Sequence, residues 1–228
     1  QLADRREQTG IGGGVGARRA ANRTLVDVDH LVDMFQTLDR LVRLHEEGAV
    51  RIGRRRLRSF EAARDAIRAE VEARGWNEAQ QSYADLLDGA RADASLLLLS
   101  WYEFHPPAHP RLRATRARIR ESLDAGRGLL YRNAADRSRG EGAFGICSFW
   151  DVEHLARGGG TLVDATALFD QLLEYQNDVG LFGEQIDPRD GSALGNFPQA
   201  FTHVGVISAA LALEERARDR KEGHHGVG

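Results

Sequence analysis

Cysteine occurs once in the 228 residues, at Cys147, so no disulfide framework can hold this fold. A lone thiol fits a reducing compartment. It also cannot build a structural zinc site, and no His-Glu-x-x-His pattern is present, so no metal site is expected. Lysine is almost missing: of 31 basic residues only Lys221 is lysine and the rest are arginine. Planar bidentate pairing would favour that skew, and so would codon usage in a GC-rich genome. Long apolar runs are missing too. The leucine run Leu96–Leu99 is far short of the ~20 residues a membrane helix needs. No apolar h-region of a signal peptide stands near Gln1, so the expected location is the cytoplasm. An excess of one charge is also lacking. The balance of 31 basic and 34 acidic residues gives −3, which offers no broad field to nucleic acid or an anionic membrane.

What is present is an ordinary globular balance, 42% apolar and 29% charged, in a chain long enough to bury a core. The first 27 residues are poor in core formers and rich in glycine (Gly10, Gly12, Gly13, Gly14, Gly16), which predicts a flexible tail. No Walker or dinucleotide fingerprint completes that glycine run. From Asp29 the pattern is helical: Leu31, Met34, Phe35, Leu38, Leu41, Val42 and Leu44 repeat at three and four residues until Gly48. Arg54, Arg55, Arg56 and Arg58 form a basic knot, read as a solvated face. Ser59 is the expected N-cap of a second helix ending near Gly75. Asp93–Leu99 reads as a short helix or strand, His109–Asp124 as a helix, and Leu129–Tyr131 as an extended piece. Cys147–Leu155 and Leu162–Val179 read as helices, and a last helix runs from Pro198 to Arg216. About seven helices joined by long loops, with no convincing sheet, make an all-α chain.

Few residues stand out for chemistry. Cys147 and His154 lie seven apart, two turns along one helix face, too distant for a hydrogen-bonded nucleophile pair. Glu184 sits between apolar residues and glycines in Leu181-Phe182-Gly183-Glu184-Gln185-Ile186, where a carboxylate can be desolvated for catalysis or can simply cap a turn. Glu141, in Gly140-Glu141-Gly142-Ala143-Phe144, carries the same two readings.

Several ordered stretches resemble one family. Gly140–Phe144, Cys147-Ser148-Phe149-Trp150, Asn177–Leu181, Glu184-Gln185-Ile186-Asp187-Pro188 and Leu194–His203 are similar to the glycoside hydrolases of family 15, the glucoamylase and bacterial trehalase group. Upstream, Asp93–Leu99, Gly128-Leu129-Leu130-Tyr131-Arg132 and Leu38-Asp39-Arg40 are similar as well. The resemblance covers roughly residues 30 to 214. It implies an (α/α)6 toroid of the six-hairpin type and inverting hydrolysis of an α-linked glucoside, with no cofactor. The expected substrates are an α-glucan, a maltooligosaccharide or trehalose. Glu184 matches the family's general base. Arg132 matches an arginine that bonds sugar hydroxyls. Glu141, Phe144 and Trp150 fall near its sugar-contacting wall, although Phe144 and Trp150 also suit a core.

The chain departs from the family in one respect. The general acid belongs to a Trp-Glu pair, and none of Trp76, Trp101 and Trp150 precedes a glutamate. Seven helices are also fewer than the twelve of a toroid. The expectation is therefore the C-terminal part of a catalytic domain at 29–216, a partial toroid, flanked by an unrelated tail at 1–28 and a polar disordered tail at 217–228. The start at Gln1 agrees with a fragment. Inner helices left open would expose apolar surface and favour self-association. The alternative is a non-catalytic helical module that binds carbohydrate or completes another subunit.

Overall fold

The computed structural model of the chain describes residues 26–225. The glycine run and residues 226–228 lie outside the described residues. Eight helices dominate: α1 (Val28–Glu46), α2 (Arg54–Glu70), α3 (Leu98–Trp101), α4 (Pro110–Leu123), α5 (Ala134–Ser138), α6 (Gly145–His154), α7 (Leu162–Leu173) and α8 (Ala200–His225). Among the described residues no helix is long and apolar enough to cross a membrane.

Several boundaries differ from the sequence reading. α2 starts at Arg54 after Gly53, five residues before Ser59, because arginine and leucine are good helix formers and nothing in Arg54–Arg58 breaks the run. α7 stops at Leu173 rather than Val179. Downstream, the Asn177 side chain accepts the amides of Val179 and Leu181 at 3.1 and 2.8 Å, a local turn that competes with helix. α8 begins at Ala200, two residues beyond Pro198, and runs to His225, where a disordered tail from 217 was expected. Its last turns are rich in helix-forming Glu and Arg, with Arg218 paired to Glu214 at i,i+4.

Seven short strands also form, where no sheet was expected. Two are hairpins: β1 (Trp76–Asn77) with β2 (Ser82–Tyr83), and β3 (Asp124–Gly126) with β4 (Leu129–Leu130). The third sheet joins β5 (Ala143–Phe144), β6 (Gln185–Ile186) and β7 (Ala193–Leu194) in that order, all antiparallel. Two or three residues per strand leave no alternation to read in the sequence.

The core has two main parts. One packs α1 and the end of α2 against residues 94–104 and α4, through Val32, Phe35, Leu99, Phe104 and Ile119. Phe35 and Phe104 meet edge to face at 5.3 Å, and the Arg68 guanidinium lies 4.6 and 4.7 Å from their centroids. The other packs α6 against α7 and α8 through Phe149, Val152, Leu172 and Ala209. The two parts are tied by a buried ion pair. Asp151 on α6 is fully buried and takes both arms of Arg116 on α4, at 2.6 and 3.0 Å.

One buried histidine makes the fold sensitive to acid. His154 is 2% exposed; its Nδ1 meets the Ser100 hydroxyl at 3.1 Å and its Nε2 has no partner. Burial pushes its pKa down to about 4; Asp151 opposes this and Arg116 adds to it. The unfolded chain, with an ordinary value near ~6.5, takes up the proton first. The contribution is therefore whole above pH 6.5 and is lost as the pH falls toward 4. The free energy of unfolding is expected to drop by about 2 kcal/mol through this residue between pH 7 and pH 5. Urea titrations at the two pH values check this, with His154→Gln expected to flatten the difference.

Candidate active site

The third sheet builds the site. Register pairs Ala143 with Ile186 and Phe144 with Gln185, so the β5 end and the Glu184 loop lie side by side. The backbone around Glu184 is fixed from three directions. Its amide donates to the Asn196 carbonyl at 2.9 Å, and its carbonyl accepts the Gly145 amide at 3.0 Å. One residue earlier, the Gly183 carbonyl accepts the buried Thr202 hydroxyl at 2.9 Å. Asp187 secures the far side of the turn. Its carboxylate is held by the Arg189 side chain and amide, which lower its pKa to about 2.

The Glu184 side chain is half-buried and held at one oxygen only. Its Oε2 accepts the Asn196 amide at 3.0 Å and the Asn196 side-chain amide at 2.9 Å. No described residue bonds Oε1. Gly195 makes this approach possible. It sits at φ +70°, and a Cβ there would stand 2.7 Å from Glu184 Oε2. A carboxylate with one oxygen anchored and the other free is set up to receive a proton from water or a hydroxyl.

Glu184 opens into a cleft of about 380 Å³. The same cleft is lined by Arg132, Phe144 and Trp150, so four of the five site residues read from the sequence come together in it. Arg132 follows β4 and is exposed. Its carbonyl accepts the Ala94 amide at 2.9 Å, and its guanidinium makes no ion pair among the described residues. Phe144 and Trp150 are half-buried, which leaves part of each ring toward the cleft as well as part in the core. Glu141 does not line the cleft. It is exposed, and its carboxylate accepts the side-chain amide of Gln185, whose oxygen in turn accepts the Gly142 amide at 2.9 Å. Glu141 therefore braces the loop beside Glu184 from outside.

Three further residues escaped the sequence reading. Asn196 stands in the quoted Leu194–His203 stretch, where its place beside Gly195 could have marked it. Phe201, in the first turn of α8, adds an aromatic side to the cleft. Asp29, in the first turn of α1, is the other carboxylate lining it, and its Oδ1 accepts the His30 amide at 2.9 Å. Nothing in the local sequence around Asp29 signals this, since the contact joins segments far apart in the chain. Cys147 lines the cleft floor yet is 1% exposed, and burial pushes its thiol pKa up, so it is no nucleophile. Among the described residues no group of three His, Cys, Asp or Glu is placed to hold a metal ion.

Part of the chain is similar to known proteins. Residues 161–211 match the model of the glycosyl hydrolases family 15. A trehalase of Mycolicibacterium smegmatis is 40% identical over 159 residues, which is 67% of this chain and 23% of that protein. A trehalase of Thermoplasma volcanium is 33% identical over 161 residues, 70% of this chain and 26% of that protein. In fold, a solved glycosidase superposes with a TM-score of 0.71 at 21% identity, covering 82% of this chain and 52% of its own. A family 15 glucoamylase from Hypocrea jecorina gives 0.63 at 11% identity, covering 83% and 42%. The all-α fold is thus of the six-hairpin toroid type. The chain spans about a quarter of the curated relatives it matches and about half of the solved glycosidase.

Proposed function

We propose that this chain, which is related to the glycosyl hydrolases of family 15, supplies the base-bearing part of an inverting glycosidase that cleaves an α-linked glucoside such as trehalose, maltose or a longer α-glucan. The observation that carries this reading is the convergence of Glu184, Arg132 and two aromatic rings on one cleft. Glu184 is the general base. Asn196 holds Oε2, and Oε1 takes the proton of the attacking water. Arg132, with its fork unpaired, bonds vicinal hydroxyls of the sugar. Trp150, Phe144 and Phe201 give the ring an apolar wall.

An inverting mechanism needs a second carboxyl about 6.5–9.5 Å away to protonate the leaving oxygen. Asp29 also lines the cleft, but the acid of the family belongs to a Trp-Glu pair, and no tryptophan of this chain precedes a glutamate. The acid is therefore assigned to a part of the enzyme beyond residues 26–225. The surface of α8 supports an incomplete ring: Phe201, Val204, Ile207 and Leu211 form a stripe in which every residue is more than half exposed. In the absence of its cover, that stripe is the surface through which the chain would self-associate.

Sugar binding and turnover separate under this reading. Trehalose or maltose should quench or shift the fluorescence of Trp150, with Trp150→Phe as the control for Trp76 and Trp101. Arg132→Met should weaken that binding about tenfold. The chain alone should release no glucose. Failure of every α-glucoside to bind would overturn the reading, and glucose release by the chain alone, lost in Glu184→Gln, would keep the base but overturn the assignment of the acid to another part of the enzyme.

A further inference from the structure

Charge is segregated along this chain in a way the cleft does not use. Between Gly48 and Phe60 stand five arginines and no acid. Between Thr161 and Pro188 stand six acids and no Lys, Arg or His. The first block makes the turn from α1 into α2, and the second makes α7 and the loop into β6. Blocks of one sign repel their like and attract their opposite.

The basic block rims an open recess of about 1060 Å³. Its floor is apolar, built from the half-buried Leu41, Val50, Ile52 and Phe60. Arg51, Arg54, Arg55 and Arg56 line it, all exposed, and no Asp or Glu does. Among the described residues none of the four makes an ion pair, although Arg64, Arg74 and Arg116 each hold a carboxylate. Successive positions on a helix point about 100° apart, so these forks fan around the rim instead of converging. A fan suits a surface with several spaced carboxylates better than one compact anion. The recess is also remote from the cleft. Asp29 lines the cleft at the start of α1, and the recess lies past the helix's far end, about 28 Å along at 1.5 Å per residue.

The acidic block has the inverse form. After α7 the chain turns at Asn177, whose side chain accepts the amides of Val179 and Leu181, and Gly180 follows at φ +81°. Val179 in this turn is 70% exposed. Asp178 beside it is exposed, as are Asp170 and Glu174 one turn apart before it. Among the described residues only Glu174 of these three meets an arginine, Arg127 at 3.8 Å. An apolar projection among carboxylates therefore stands on the same chain as an apolar floor among guanidinium groups. The hydrogen bonds of Asn177 fix the projection beforehand, so little is lost in ordering it on contact. One chain cannot bring the two together, because α1 belongs to one core part and α7 to the other.

We infer that the arginine-rimmed recess at the α1–α2 turn receives the Val179 turn of a second copy of this chain. The two surfaces differ, so the contact is head to tail and can repeat from copy to copy. It is small and charge-driven, hence reversible and weakened by salt. Association through the apolar stripe of α8 is instead strengthened by salting-out ions such as sulfate.

Sedimentation of the 228-residue chain carrying Ile207→Ser, which interrupts the α8 stripe, isolates the contact. Mean mass should rise with protein concentration at low salt. It should return to that of the monomer near 1 M NaCl, where the Debye length is about 3 Å. In that background the recess variant Arg55→Glu with Arg56→Glu, and separately the turn variant Asp178→Asn with Val179→Ser, should each weaken association at least tenfold. All four residues are exposed, so the fold stays intact. Mixing the two variants should restore one contact, the intact turn of the first in the intact recess of the second, and stop at a heterodimer. A monomer at every concentration in low salt, association that grows with NaCl, or association that survives both variants would overturn the inference. So would a chain that stays monomeric yet binds an oligonucleotide through these arginines.

Discussion

Glu184→Gln lowers kcat on trehalose by about 10²–10⁴-fold when the acid-bearing part is supplied by a relative. The vehicle is a chimera in which residues 30–214 replace the homologous stretch of the Mycolicibacterium smegmatis trehalase, to which the chain is 40% identical. Glutamine can keep both Asn196 hydrogen bonds through its oxygen, so the loop and the cleft remain as they are. What it cannot do is accept a proton from water. KM should therefore change little while kcat collapses, the pattern of an interaction used only in the transition state. Gly195→Ala should mimic the loss more mildly, because the new Cβ would stand 2.7 Å from Glu184 Oε2 and displace it. An active chimera indifferent to Glu184→Gln would remove Glu184 from the mechanism. A chimera that binds trehalose yet never turns it over would favour a carbohydrate-binding module.

The largest loss of stability is expected at Asp151. This carboxylate is fully buried, faces Arg116 at 2.6 and 3.0 Å, and has Arg120 at 3.6 Å. Removing it by Asp151→Ala strands the Arg116 guanidinium against a desolvated wall, while Arg120 keeps Asp124 at 2.9 Å. Breaking such a pair from one side costs about 3–5 kcal/mol. For a chain of this size that is a fall in Tm of roughly 10 °C. Urea unfolding of the single variants and of Asp151→Ala with Arg116→Met gives the coupling directly. The double variant should recover part of the loss, because the stranded charge is removed with its partner. A single-variant cost under about 1 kcal/mol would show that water reaches the pair.

The helices were legible because apolar periodicity is a local property. Leu31 to Leu44 announce α1 without any knowledge of what α1 packs against. Glu184 was legible for a related reason: a carboxylate flanked by apolar residues and glycines is unusual within ten residues of sequence. Gly195 and Asn196 make that carboxylate usable, but the contact spans a hairpin of two-residue strands too short to show a period. Asp29 is harder still. It enters the cleft only because α1 packs beside residues 94–104, and no local pattern encodes that meeting. Glu141 shows the converse. Its motif placed it by the site, yet the hydrogen bond to Gln185 turns its carboxylate to the rim.

Cys147 offers a use that has nothing to do with catalysis. It is the sole thiol of the chain, it lines the cleft floor, and in the native state it is 1% exposed. A thiol reagent can reach it only when the floor opens. Its labelling rate is thus a built-in clock for local unfolding beneath the sugar, read without mutation and without a second site to confuse it. Slowing of that clock on addition of a disaccharide would report how firmly the occupied cleft clamps its own foundations.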